Sequence, residues 1–167
     1  KGHEIFIITS GSVGAGYAQI EEGKYSRSVY ASIGQAKLIR RYAEFFDAHT
    51  VDIAQILLSV NALKDRSRYD QLQNSLLTLI EHKVIPIVNE NDVTILQDTF
   101  GDNDSLASML AVMCKADKLI FLTNVDGLYS ADPKTNTDAE LVEEVRSVDA
   151  EIQKMCSRMT SSLGSGG

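Results

Sequence analysis

Apolar residues fall along this chain in two periods, and the switches between them mark its elements. Glu4–Thr9 (EIFIIT) is a short β-branched apolar run that stops at the glycine-rich turn Ser10–Gly16, so it reads as a buried strand feeding a loop. From Val29 to Phe46 the period becomes helical: Ile33, Ala36, Leu38, Ile39 and Tyr42 alternate with Gln35, Lys37, Arg40 and Arg41. Asp52–Leu58 (DIAQILL) is a second strand. The polar stretch Lys64–Gln73 keeps its apolar residues on one side and continues through Leu76, Leu77, Leu79 and Ile80 as another helix. Val84–Val88 (VIPIV) is a third strand, in which Pro86 points to an edge or a bend. A polar loop over Asn89–Asp104, a helix over Ser105–Lys115, a fourth strand over Lys118–Leu122 and a late helix over Val148–Met155 complete the pattern.

Strands alternating with helices imply right-handed βαβ crossovers and a mainly parallel sheet. Ligands of such sheets sit beyond the carboxyl ends of the strands. The chemically informative residues lie there: Ser10–Gly16 after the first strand, Asn89–Asp92 after the third and Thr123–Asp126 after the fourth. There is no internal repeat and no low-complexity linker apart from the glycine-rich Gly164–Gly167.

Composition narrows the function classes. The 167 residues suffice for one domain with a real core, and 44% apolar with 23% charged residues is the balance of a globular protein. The longest apolar runs are strand-sized, which excludes a spanning helix, and the opening Lys1-Gly2-His3-Glu4 has no signal-peptide character. A formal charge of −7, with no basic run beyond Arg40-Arg41, argues against nucleic acid or an anionic membrane as partner. Cys114 and Cys156 are far apart and lack CxxC spacing, which points to a reducing, cytoplasmic setting and away from a disulfide framework or a zinc site.

Three segments carry candidate chemistry. In Thr9–Gly16 (TSGSVGAG) three glycines within six residues would let backbone N–H groups approach an anion, although a plain strand-to-helix turn explains them as well. It is not a Walker A loop, a GxGxxG fingerprint or a GxSxG elbow. Asn89–Asp92 (NEND), followed by Gly101–Asp104 (GDND), sets seven carboxylate or amide side chains in two short loops. One of them, Asn103 or Asp104, suffices to cap the helix that follows; seven together suit an ammonium group, a Mg²⁺ shell or the orientation of a lysine. Leu122–Pro133 (LTNVDGLYSADP) contains the turns Asp126-Gly127 and Asp132-Pro133, which structure alone accounts for.

Together and in this order these segments resemble the glutamate-phosphorylating members of the amino-acid kinase family. The matching stretches are IITSGSVGAG, ASIGQAKLI at Ala31–Ile39, QILLS at Gln55–Ser59, VIPIVNEND at Val84–Asp92, GDNDSLA at Gly101–Ala107, ADKLIFLTNVDGLYSADP at Ala116–Pro133 and LGSGG at Leu163–Gly167. NEND followed by GDND is the specific part. The resemblance implies a three-layer αβα sandwich with a mainly parallel sheet. It also implies transfer of the γ-phosphoryl of ATP, with Mg²⁺, to the side-chain carboxylate of glutamate, the first step towards proline. By position Ser10, Asp92 and Asn103 match the family's glutamate-binding residues, and Asp104 matches the aspartate that orients the catalytic lysines. Thr123, Asn124, Ser165, Gly166 and Gly167 match nucleotide contacts, relatives often carrying aspartate at the position of Asn124. Proline as a feedback inhibitor and a homo-oligomer are further implications.

The resemblance also implies that residues 1–167 are an amino-acid kinase domain incomplete at both ends. Relatives carry one catalytic lysine on a strand and glycine loop before the stretch matching Glu4–Thr9, and a second beyond the last Gly-Gly. A chain of these residues alone is expected neither to turn over nor to fold stably. The chemistry agrees with the side chains at hand: a glutamate carboxylate, with a pKa of about 4.3, is already ionised at neutral pH and needs no general base. His3, His49 and His82 accordingly read as surface or helix-end residues. The alternatives are another kinase of this family, acting on aspartate, acetylglutamate, carbamate or a nucleoside monophosphate, and a catalytically silent amino-acid-binding module on the same scaffold.

Overall fold

The computed structural model describes residues 2–21, 23–59, 61–93 and 102–155 of the chain. Strand β1 (Ile7–Ile8) is followed by helices α1 (Ser12–Tyr17) and α2 (Arg27–Asp47). Strand β2 (Ile53–Leu58), helices α3 (Asn61–Lys64) and α4 (Arg66–Glu81), strand β3 (Ile85–Glu90) and helices α5 (Asn103–Met113) and α6 (Ala150–Met155) complete the order. Local chemistry sets two of the helix starts. The Asp65 carboxylate accepts from the Arg68 N–H at 2.9 Å to open α4, and the Asp102 carboxylate accepts from the Ser105 N–H at 2.6 Å to open α5. The cap of α5 is therefore Asp102, one residue before the two candidates the sequence suggested, and Asn103 and Asp104 are left to other tasks.

The three strands form one parallel sheet in the order β1-β3-β2. β2 pairs with β3 over all six residues, Ile53 with Ile85 through Leu58 with Glu90, whereas β1 pairs only at Ile7–Ile87 and Ile8–Val88. Pro86 thus lies in the central strand, not at an edge or a bend, and is fully buried. Its tolerance has a simple geometric cause. The Ile85 N–H points to β2, where Asp52 accepts it, so the position of Pro86 faces the β1 side. The β1 ladder begins one residue further on, and the missing N–H costs no ladder bond.

Handedness explains the layers. The chain steps from β1 across to β2, then back to β3; two right-handed crossovers in opposite directions must put their helices on opposite faces. Side-chain alternation confirms it. Ile8, Ile56, Leu58 and Val88 pack with Leu72 and Leu76 of α4 and with Leu106, Leu110 and Met113 of α5. On the other face Thr9 and Asn89 meet α2, through the Tyr42 hydroxyl donating to Thr9 Oγ1 at 2.9 Å and Asn89 Nδ2 donating to Gln35 Oε1 at 2.9 Å. The result is a layered αβα arrangement around a small parallel sheet, as expected.

The expected fourth strand is not formed. Lys118–Leu122 is irregular and pairs with no strand among the described residues, with Ile120 69% and Leu122 97% exposed. With α5 on the α4 face, a right-handed crossover from β3 leads past β1, and β1, only two residues long, offers too short a template for another ladder. Beyond it, Tyr129 and Leu141 form an isolated antiparallel bridge closed by Ser130 N–H to Glu140 O at 2.8 Å and Val142 N–H to Leu128 O at 2.8 Å. The late helix expected from Val148 starts at Ala150.

The glycine-rich segment is itself a helix, α1, lying backbone-to-backbone against α2. A Cβ on Gly34 would stand 1.6 Å from Ser12 O and 2.5 Å from Gly16 N, and one on Gly16 would stand 2.0 Å from Tyr30 O. Gly14, in the same short helix, faces open space. Gly34→Ala should therefore lower stability by at least about 3 kcal/mol, since backbone must move to admit the methyl group. Gly14→Ala should leave stability unchanged or raise it by about 0.5–1 kcal/mol. Urea unfolding of the two variants checks the contrast, and equal midpoints would show that α1 does not depend on this contact.

Candidate functional site

β1 and β3 are neighbours, yet the chain leaves their carboxyl ends for opposite faces, into α1 and α2 from one and towards α5 from the other. Such a divergence opens a crevice outside the sheet, the usual ligand position in open α/β folds. The first residues past both strand ends meet there. Thr9 N–H donates to Val88 O at 2.9 Å and holds the end of β1 to β3. Asn91 N–H donates to Leu58 O at 2.7 Å and carries β3 one step beyond its ladder to Asp92.

Asp92 is held from two sides. The Ser12 hydroxyl, buried in the first turn of α1, donates to Asp92 Oδ2 at 2.7 Å. From α2, Arg27 Nη2 stands 3.9 Å from Asp92 Oδ1, an ion-pair distance too long for a hydrogen bond. The Asp92 side chain is only 17% exposed and that of Arg27 62%, so a fixed, sheltered anion faces a solvated cation. The position of Ser12 depends in turn on the α1–α2 glycine contact, because Ser12 O is the atom that Gly34 approaches.

The other polar residues of the two loops divide by use. Asn89 is buried and tied to Gln35, while its Oδ1 accepts from the Glu90 N–H at 2.9 Å. Asn91 Oδ1 accepts from the Val93 N–H at 3.3 Å in a turn, and Asp102 caps α5. Structure consumes these three. Asn103 and Asp104, in the first turn of α5, are different. Asn103 Oδ1 is buried without a hydrogen-bond partner, which costs free energy unless something else supplies the donor. Desolvation, and then the negative charge of Asp102, push the exposed Asp104 carboxyl above the usual carboxylate range. An anion so placed calls for a cation.

Of the residues expected at the site, Ser10 is exposed on the turn between β1 and α1, two residues before Ser12. Thr123 and Asn124 are exposed on the irregular segment after Leu122. Ser165, Gly166 and Gly167 lie outside the described residues, as do Gly101 and Cys156. The structure thus joins Asp92 to the β1 end but does not bring Thr123 or Asn124 into a hydrogen bond with it. Sequence reasoning missed Ser12 and Arg27. Ser12 was hidden within a segment read for its glycines, and Arg27 lies in a stretch without a motif; only the fold brings them to Asp92. An open depression along α4, lined by Asp70, Gln71, Asn74 and Ser75 among others, shares no residue with this cluster and lies on one helix face. Among the described residues no group of three His, Cys, Asp or Glu side chains could hold a metal ion, and no helix is long and apolar enough to cross a membrane.

Comparison with known proteins fits this geometry. The model of the amino acid kinase family matches residues 1–167. Glutamate 5-kinase of Dehalococcoides mccartyi is 42% identical over 175 residues, covering 99% of this chain and 47% of the relative. The glutamate 5-kinases of Sodalis glossinidius and Proteus mirabilis are each 38% identical, covering 99% and 100% of this chain and 47% of each relative. The chain spans about half the length of the curated relatives it matches. With a family match over every residue and a parallel αβα core whose strand ends converge on Asp92, the chain belongs to the amino acid kinase family.

Proposed function

We propose that the protein carrying this chain phosphorylates the side-chain carboxylate of L-glutamate with ATP, giving glutamyl 5-phosphate for proline synthesis in the cytoplasm. The observation that carries the reading is the sheltered Asp92 carboxylate at the β1–β3 crevice, one oxygen fixed by Ser12 and the other 3.9 Å from the exposed Arg27. A free amino acid brings an ammonium group, and Asp92 Oδ1 is its partner. Ser10 lies on the adjoining turn, and Asn103 offers an unused buried acceptor at the start of the next helix. These three residues are assigned to glutamate. Thr123 and Asn124, with Ser165, Gly166 and Gly167, are assigned to the nucleotide. The relatives named glutamate 5-kinase support the substrate choice.

In this reaction an oxygen of the ionised glutamate side chain attacks the γ-phosphorus in line. The bond from that phosphorus to the bridging oxygen breaks, and ADP leaves with the electron pair. No proton has to move, so catalysis rests on alignment and on neutralising charge at the transferring group. Mg²⁺ arrives on the ATP phosphates as part of the substrate. Asp104 is assigned to orient the cationic side chains that stabilise the transferring phosphoryl group.

Three outcomes test the proposal. With glutamate, ATP, Mg²⁺ and hydroxylamine, the full-length protein should yield glutamyl hydroxamate; equal trapping with aspartate, or binding of glutamate without any trapped product, would contradict it. Asp92→Ala should raise KM for glutamate with kcat little changed, because an ion pair to the ammonium acts in ground and transition states alike. Asp104→Asn should do the reverse and cut kcat by roughly 10²–10³, as loss of transition-state charge stabilisation does.

The stability of the Asp104→Asn variant should move the other way. A carboxyl whose pKa is raised by folding is easier to keep protonated in the folded state. Its ionisation therefore removes stability as pH rises through the raised value, a loss complete at neutral pH and absent in acid below the ordinary aspartate value. The variant's melting temperature at pH 7 should equal or exceed that of the wild type, with the difference vanishing in acid. A lower melting temperature at pH 7 would show that Asp104 is structural.

A further inference from the structure

We propose that Arg27 is a specificity-determining residue that binds the α-carboxylate of the amino-acid substrate, so that Arg27 and Asp92 together recognise its zwitterionic end. The inference rests on the glutamate-site reading above and assigns a residue that the sequence motifs do not reach.

The argument starts from the mismatch within the Arg27–Asp92 pair. A guanidinium that serves only to hold a carboxylate approaches it bidentately, at about 2.7–2.9 Å. Here a single nitrogen stands at 3.9 Å, and the Arg27 side chain is 62% exposed, so its forked donors are largely unspent. Asp92 does not depend on Arg27 for its orientation, because Ser12 fixes the other oxygen at 2.7 Å from the buried side of the crevice. The anion is anchored by a neutral hydroxyl, and the cation stands off at the solvent side.

An α-amino acid carries its own ammonium and carboxylate on one carbon. Laying the ammonium against Asp92 Oδ1 places the α-carboxylate beside it, on the side from which Arg27 approaches. The planar fork of arginine matches a carboxylate, and the pair would exchange one long contact for two short charge-assisted ones. Arg27 is at the first position of α2, outside the apolar clusters of the fold, and its exposed side chain can adjust without disturbing the packing.

Substrates that differ at one group test this. L-glutamate carries all three groups, 4-aminobutyrate lacks only the α-carboxylate and glutarate lacks only the ammonium. Calorimetric binding and kcat/KM are measured for each on the full-length wild type and on Arg27→Ala and Arg27→Lys. Wild type should prefer glutamate to 4-aminobutyrate by at least about 100-fold, since an unmet carboxylate partner is costly. Arg27→Ala should narrow that preference at least about tenfold, through glutamate KM with kcat little changed, and leave 4-aminobutyrate almost unaffected; Arg27→Lys should fall between. The proposal is overturned if Arg27→Ala weakens both substrates by the same factor, leaves both unchanged, or tightens glutamate by removing a competitor for Asp92. Wild type that binds and phosphorylates glutamate while Arg27→Ala keeps full discrimination overturns only the role of Arg27. Wild type that neither binds nor phosphorylates glutamate overturns the glutamate-site reading and this proposal with it.

Discussion

A right-handed crossover can cover only one face of a parallel sheet, and reversing direction along the sheet moves the next helix to the other face. This chain reverses once, between the step from β1 to β2 and the step back to β3. The consequences reach every layer of the structure. α2 covers one face and α4 the other, each of the three strands feeds a helix on a determined side, and the connections that leave the neighbouring ends of β1 and β3 diverge. The crevice that holds Asp92 is a product of topology, present before any particular side chain is placed in it.

Side chains then specialise the crevice. α1 reaches it only because Gly16 and Gly34 allow two helix backbones to touch, and the reward is a buried Ser12 hydroxyl aimed at Asp92. Tyr30 secures the chain between α1 and α2: its hydroxyl donates to Glu21 O at 2.6 Å and accepts from the Lys24 and Tyr25 N–H groups. That connection ends at Arg27, so the cation facing Asp92 is delivered by the same device that seats α1. The unsatisfied Asn103 oxygen and the raised Asp104 carboxyl are the opposite kind of feature, groups that their surroundings disfavour.

Much of this was legible in the sequence where a pattern is local. The periods of Val29–Phe46 and of the stretch through Ile80 gave α2 and α4 to within a few residues, and the β-branched runs at Asp52–Leu58 and Val84–Val88 gave β2 and β3. The density of NEND and GDND singled out the Asp92 loop, because caps and turns use few residues, and the structure leaves Asp92, Asn103 and Asp104 unabsorbed by them. What failed depends on distant partners. Lys118–Leu122 has strand character, but pairing is decided by an available edge, and β1 presents two residues. Pro86 suggested an edge strand; its acceptability depends on where the ladder of β1 begins. The glycines of Thr9–Gly16 looked equally suited to an anion loop, and their use against Gly34, 18 positions beyond Gly16, cannot be read from the segment alone.

The central claim is that the β1–β3 crevice is an amino-acid site built around Asp92. A crystal structure of the full-length protein with L-glutamate and a non-hydrolysable ATP analogue tests it directly. The account predicts the substrate ammonium about 2.7–3.0 Å from Asp92 Oδ1, with the Ser12–Asp92 hydrogen bond kept. Glutamate bound elsewhere, with Asp92 still facing only Ser12 and Arg27, would contradict it.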